Sequence, residues 1–245
     1  DIKPFELKKT DSQKAIANTV DSAIKYVKNE KKSAALLIRK GLFERTNVKN
    51  INVNNYQLSR NDALKMICDS IDSNSVVVTG TGMISREWYN IFSSYDHNNC
   101  LMNVGAMGHT SSLTLGLRLS KYQMPIYCIE GDGSLLMHLG CLPYITKYNK
   151  KKFVHIILNN GVHDTVGGQK TAAFDIELCK MADAFIYCVT KSNELSNILN
   201  EIKKLDGNIF LEIRINNKKQ IGINRPNYNF SYKSKAISKY MNQEV

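Results

Sequence analysis

The 245-residue sequence predicts an α/β fold, a parallel sheet covered by helices on both faces. Three observations carry that prediction. Short apolar runs of strand length, at 34–38, 75–79, 100–104, 126–129, 153–158, 185–189 and 209–215, alternate with segments of helical periodicity. Several of these runs are apolar throughout, as strands buried on both faces are. Glycine-containing turns follow three successive strands, at 80–82, 105–108 and 131–133, so all three open on one edge of a parallel sheet.

In chain order, Asp11 or Thr10 is positioned to cap a helix running to about residue 27. Its apolar face carries Ala15, Ile16, Val20, Ala23, Ile24 and Val27. The strand 34–38 follows a Lys-rich turn. One helix and one strand cannot enclose a core, so 1–44 needs a sheet to join. The polar, Asn-rich stretch 45–57 reads as a linker. Ser59 caps a helix to about residue 71, with Asp62 completing a near capping box. From there, strands and helices alternate through 58–215. Helices are expected near 85–93, from about 110 to 119, over 135–147, from a cap at Asp175 to 183, and near 193–205. Pro143 demands a late kink or early end in the 135–147 helix. The tail 216–245 is basic and polar, with a short helix expected near 234–241.

Composition narrows the function classes. The chain carries no run of 18 apolar residues and no signal-peptide pattern, so no membrane span is expected. Its first residue is not Met, and the chain is expected to be a fragment or a processed product. The six cysteines form no CxxC pair and sit among apolar residues, which points to reduced thiols, a cytoplasmic protein and no zinc site. The net charge of +11 fits an anionic ligand; its lysines are dispersed without interleaved aromatics, against nucleic-acid binding.

The chemistry concentrates in 125–171. Gly131-Asp132-Gly133-Ser134 and Asn159-Asn160-Gly161 each follow an apolar strand. Asp132 is a hard oxygen ligand, Gly131 and Gly133 admit a close ligand, Ser134 opens a helix that favours phosphate, and Asn160 offers a neutral carbonyl oxygen. A carboxylate, an amide, a backbone carbonyl and diphosphate oxygens together make an octahedral Mg2+ set. No turn reads GxGxxG and no GK[ST] follows, which argues against a dinucleotide fold and a P-loop.

GDG, then 25 residues (134–158), then NN is similar to the motif of thiamine-diphosphate-dependent enzymes. The longer strings GAMGHTSS (105–112), GDGSLLMHLG (131–140) and NNGVHDTVGGQ (159–169) resemble the phosphonopyruvate decarboxylase branch, with sulfopyruvate decarboxylase next to it. The resemblance implies that Asp132, Asn160 and the Val162 carbonyl hold Mg2+. It implies that Gly80, Thr81 and Gly82 contact the diphosphate, that Gly105 and Met107 contact the aminopyrimidine, and that Met107 wedges the cofactor into its bent shape. The activity implied is decarboxylation of a small anionic 2-oxo acid, 3-phosphonopyruvate, to phosphonoacetaldehyde and carbon dioxide. His163 and His109 flank the implied site as proton donors, and Arg86 or Arg225 is available for the substrate's anionic tail.

Residues 1–44 resemble the tail end of a pyrimidine-binding domain. The family's activating glutamate lies early in that domain and has no match here, so the chain is expected to carry the diphosphate half of a site shared with a missing region or a partner subunit in an oligomer. The phrase 219–226 only loosely resembles the family's Gly-Arg-Pro ending. The competing readings are a dehydrogenase or transketolase-type module, a non-catalytic cofactor-binding module and a basic nucleic-acid binder.

Overall fold

The apolar runs do become strands, and six of them form one all-parallel sheet. The computed structural model describes residues 2–44, 54–92, 99–120, 123–149, 151–218, 220, 222–227 and 229–243. The chain divides into two units, residues 1–49 and 50–245.

The first unit holds β1 (Lys3–Leu7), α1 (Gln13–Glu30) and β2 (Ala34–Ile38). Two expectations are corrected here. The helix is capped by Ser12, whose hydroxyl accepts from the Ala15 amide, rather than by Asp11 or Thr10; Asp11 instead accepts from the Lys8 amide at 2.8 Å. A second strand, β1, pairs in parallel with β2, from Lys3 opposite Ala34 to Leu7 opposite Ile38. Even so, Leu7 and Ala23 are the buried apolar residues of this unit, and Leu36, Leu37 and Ile38 stand 41%, 46% and 50% exposed.

The second unit contains α2 (Arg60–Ser70), β3 (Val76–Thr79), α3 (Met83–Phe92), β4 (Cys100–Met102), α4 (Thr110–Arg118), β5 (Ile126–Gly131), α5 (Asp132–Met137), α6 (Cys141–Tyr148) and β6 (Phe153–Asn159). A two-stranded hairpin, β7 (Val162–His163) with β8 (Gln169–Lys170), follows. Then come β9 (Phe185–Val189), α7 (Ser192–Lys204), β10 (Asn208–Arg214) and α8 (Phe230–Gln243). The main sheet runs β4-β3-β5-β6-β10-β9. Alternate residues of each strand feed opposite cores. Tyr127, Ile129, Val154 and Ile156 pack with Leu64 and Ile67 of α2, Trp88 of α3 and Leu195 of α7. Cys128, Phe153 and Ile157 pack with Leu115, Leu135, Leu142 and Ile145. Val76, Val78 and Ile126 meet Ile237 and Met241 of α8. The chain goes from β3 to β4 on one side and returns to β5 on the other, so β3/β5 is a topological switch point, where open sheets leave a crevice at their carboxyl ends.

Three further expectations are corrected. The helix of 135–147 is two helices, broken at His138–Gly140 and not at Pro143. Pro143 sits in the first turn of α6, where its missing N–H has no partner to lose. The helix expected from Asp175 to 183 is only a 3-10 turn, Leu178–Met181, because Ala173 and Leu178 are drawn fully into the core under α6. Of the linker expected over 45–57, residues 45–53 lie outside the described residues. Residues 54–57 are bound into the second unit: Asn54 donates to the carbonyls of Asn160 and Ile215, and the Gln57 carbonyl accepts from Asn216. Among the described residues no helix is long and apolar enough to cross a membrane.

Candidate active site

A cavity of about 500 Å³ opens where β3, β4, β5 and β6 end. Thr81 and Gly82 reach it from β3, Gly105 and Met107 from β4, Gly131, Asp132, Gly133 and Ser134 from β5, and Asn160, Val162 and His163 from β6. Parallel strand polarity is the cause: each turn leaves its strand on the same edge. Two expected residues do not reach the wall. Gly80 is held in the sheet, its amide donating to the Ile129 carbonyl at 2.7 Å and its carbonyl accepting from Ser85. His109 is exposed, caps nothing with its side chain and stacks on His138 with ring centroids 4.1 Å apart.

The polar floor is Asp132, 2% exposed, with its Oδ2 accepting from the Thr171 hydroxyl. Burial pushes its carboxyl above the ordinary value, against the hydrogen bonds from Thr171 and the Gly133 amide. Asn160 follows the neighbouring strand β6 and lines the same cavity. Its Oδ1 accepts from the Val162 amide at 3.1 Å, and its Nδ2 donates to Asp164 at 2.9 Å. Gly133 is where a side chain cannot be fitted: a Cβ there would lie 2.5 Å from Cε1 of His163. The imidazole therefore lies directly on the Gly131–Gly133 turn.

Two buried networks hold these turns. Arg60 bridges Glu87 at 2.8 Å and Asp164 at 2.7 Å, linking α2, α3 and the loop after β6. Burial alone would lower its basicity, but the Glu87 and Asp164 carboxylates carry it above the ordinary value. Beneath the other side, His155 Nε2 lies 2.9 Å from Glu130, and Ser134 donates to Glu130 at 2.6 Å while accepting from the Gly108 amide at 3.0 Å. The Ser134 hydroxyl is thus committed to fixing the 105–108 turn against β5.

Sequence reasoning missed Arg60, Met83 and Phe230, which also line the cavity, while Arg86 and Arg225, singled out for an anion, do line it. One signal for Arg60 was available. A cation at the first position of a helix faces the positive end of the helix dipole, a local conflict that marks a tertiary role.

Residues 80–213 match the family described as thiamine pyrophosphate enzyme, C-terminal TPP binding domain. The chain belongs to this thiamine-diphosphate-binding family. Members similar to this domain include the phosphonopyruvate decarboxylase of Streptomyces viridochromogenes, 32% identical over 168 residues, which are 67% of this chain and 41% of that protein. Sulfopyruvate decarboxylase subunit beta of Methanothermobacter thermautotrophicus is 30% identical over 158 residues, covering 64% of this chain and 82% of that one. Among solved structures, benzoylformate decarboxylase from Polynucleobacter necessarius superposes with a TM-score of 0.54 at 14% identity, over 79% of this chain and 38% of that one. That likeness speaks to the fold. The chain spans less than half the length of the phosphonopyruvate decarboxylases it matches, 41% and 30% of the two Streptomyces proteins.

The cavity fits thiamine diphosphate on its own evidence. Its volume lies in the range of cofactor sites, roughly 300–1,000 Å³. Its lining includes a buried carboxylate, Asp132, and the neutral oxygens of Asn160 and Val162, residues able to offer hard oxygens. Gly82 and Gly105, both at positive φ, bring main chain rather than side chain to the wall, and Met107 supplies an apolar surface beside them.

Proposed function

We propose that this chain is the diphosphate-binding half of a thiamine-diphosphate-dependent 2-oxo acid decarboxylase acting on 3-phosphonopyruvate. The observation that carries the reading is that Asp132, Asn160, Val162 and Met107 line one cavity, together with Arg86 and Arg225. The similarity to phosphonopyruvate decarboxylases supports the choice of substrate.

Thiamine diphosphate, when bound, supplies the nucleophile and the electron sink that make loss of carbon dioxide from a 2-oxo acid accessible. The chain's own residues do the rest. Asp132, Asn160 Oδ1 and the Val162 carbonyl would hold Mg2+, and Thr81, Gly82 and the main chain at 131–134 would surround the diphosphate. Gly105 and Met107 would orient the rings. Arg60 keeps Asp164 in place, and Asp164 in turn fixes the Asn160 side-chain amide. His163 has Cε1 and Nδ1 against Gly133, which leaves Nε2 to deliver a proton to the product carbon. Arg86 and Arg225 receive the phosphonate as fork-shaped donors.

A pyrimidine-binding domain or subunit completes the site in an oligomer, and the first unit, with its exposed β2, is the tail of such a domain. A second reading has its own support: the chain covers 82% of a sulfopyruvate decarboxylase subunit beta, a length that fits a two-subunit enzyme. The test is carbon dioxide release from 3-phosphonopyruvate with thiamine diphosphate and Mg2+, by this chain together with its candidate pyrimidine-binding partner. Release abolished by Asp132→Ala supports the proposal. Turnover of sulfopyruvate alone selects the second reading, and turnover of neither rejects both.

A further inference from the structure

At the β9 edge of the main sheet, two thiols and a carboxylate meet. Cys179 stands in the 3-10 turn Leu178–Met181, Cys188 on the edge strand β9, and Glu212 opposite Cys188 in the β9–β10 register. Their ligand atoms all lie within 4.8 Å of one another. We propose that Cys179 and Cys188 form a reversible thiol–disulfide site, and that its oxidation loosens the Asn159–Gly161 turn of the active site through Glu212.

The geometry supplies each part. Cys188 is exposed and Cys179 is half-buried behind it, so an oxidant meets Cys188 first and Cys179 is at hand to resolve the mixed disulfide. The neighbouring Cys179 thiol and Arg214 lower the Cys188 thiol to about 7 against burial and the Glu212 charge, while Cys179 is raised beside Cys188 and Glu212. The Cys188 thiolate attacks a low-molecular-weight disulfide, forming a mixed disulfide and releasing one thiolate. Cys179 then attacks the Cys188 sulfur as its proton passes to Glu212, forming the internal disulfide and releasing the second thiolate, which takes up that proton. The small disulfide is reduced by two electrons and the protein pair is oxidised by two.

The consequence follows the hydrogen bonds. In the reduced chain Cys179 donates to Glu212 Oε2 at 3.1 Å. The other oxygen of Glu212 accepts from Asn159 Nδ2 at 2.9 Å and from Arg214 Nε at 2.9 Å. Asn159 Oδ1 in turn accepts from the Gly161 amide at 3.1 Å, and Asn160 between them lines the cavity. A disulfide removes the Cys179 donor. Glu212, 1% exposed, is then drawn toward Arg214, and its hold on Asn159 weakens. The three-atom set would also suit a soft cation, but Arg214 beside Glu212 disfavours an added positive charge.

The test uses the full chain without cofactor, so it does not depend on the proposed function. Incubation with oxidised glutathione is followed by peptide mapping and by amide hydrogen exchange. The expected result is a Cys179–Cys188 cross-link, about tenfold faster exchange at Gly161, and reversal of both by dithiothreitol. In Cys179→Ser, the reagent leaves a glutathione adduct on Cys188 and no change at Gly161. An adduct without a cross-link in the unsubstituted chain overturns the pair. A cross-link with unchanged exchange at Gly161 overturns the coupling, and Zn2+ protecting both thiols from the reagent at equimolar concentration reassigns the cluster to a metal site.

Discussion

Arg60→Met is the substitution that most directly tests how the site is held. The guanidinium is 9% exposed and neutralises Glu87, 1% exposed, and Asp164, 8% exposed, at 2.8 and 2.7 Å. Methionine fills the stem's volume but leaves two carboxylates without a counter-ion. Breaking a buried pair by removing one partner costs about 3–5 kcal/mol. Asp164 borders the cavity and can turn to water, so most of the loss comes from Glu87, and the lower end, about 3 kcal/mol, is expected. Against a total of roughly 5–15 kcal/mol for a domain, that is a large fraction. In urea, with a slope of about 2 kcal/mol/M, the midpoint falls by about 1.5 M. The double variant Arg60→Met/Glu87→Gln recovers a large part of the loss, because a neutral amide replaces the orphaned charge. A midpoint shift under about 0.5 M, or no recovery in the double variant, would refute the view that Arg60 compensates these charges.

Asp132→Asn removes a carboxyl whose folded-state value is raised by burial, so its stability contribution is present at low pH and lost as pH rises through the raised value. The variant without Mg2+ is therefore expected to gain about 1 kcal/mol over the parent near neutral pH, with the difference vanishing in acid, while Mg2+-dependent binding of thiamine diphosphate disappears; thermal melts and calorimetry read both. Gly133→Ala sets a Cβ at 2.5 Å from Cε1 of His163. The imidazole must move by an ångström or more, and turnover falls about a hundredfold while the urea midpoint changes little. Arg86→Met or Arg225→Met raises KM for 3-phosphonopyruvate roughly 10–100-fold, the value of one charged hydrogen bond, and leaves turnover of uncharged-tail 2-oxo acids unchanged; an unchanged KM in both removes the arginines from substrate recognition.

The strands of the main sheet were legible because strands buried on both faces are largely apolar: 126–129 is apolar throughout, 153–158 departs only at His155, and both are buried along their length. The turns were legible because parallel polarity sends every carboxyl end to one edge. What escaped notice depended on distant partners. β1 is five residues, two of them Lys3 and Pro4, and becomes a strand only by pairing with β2 about thirty residues later. The break at His138–Gly140 was hidden because Leu135, Leu139 and Leu142 keep helical spacing across it, although Leu135 and Leu142 belong to separate helices and Leu139 lies in the break. The partners of Arg60 are remote in sequence, and only the fold brings Glu87 and Asp164 to it.

The uniform direction of the six strands divides the second unit into two ends with different freedoms. The turns after β3, β4, β5 and β6 all carry cavity residues, so length changes there alter what the cavity admits. The opposite end is stitched by bonds that touch no ligand: Asn99 donates to the Ser73 and Ser75 carbonyls, and Lys152 to the Ile202 and Lys203 carbonyls. Libraries aimed at substrate range therefore belong on the turns after β3, β4, β5 and β6. Affinity tags, dyes and stabilising replacements belong at the stitched end, where the framework can be altered without reshaping the cavity.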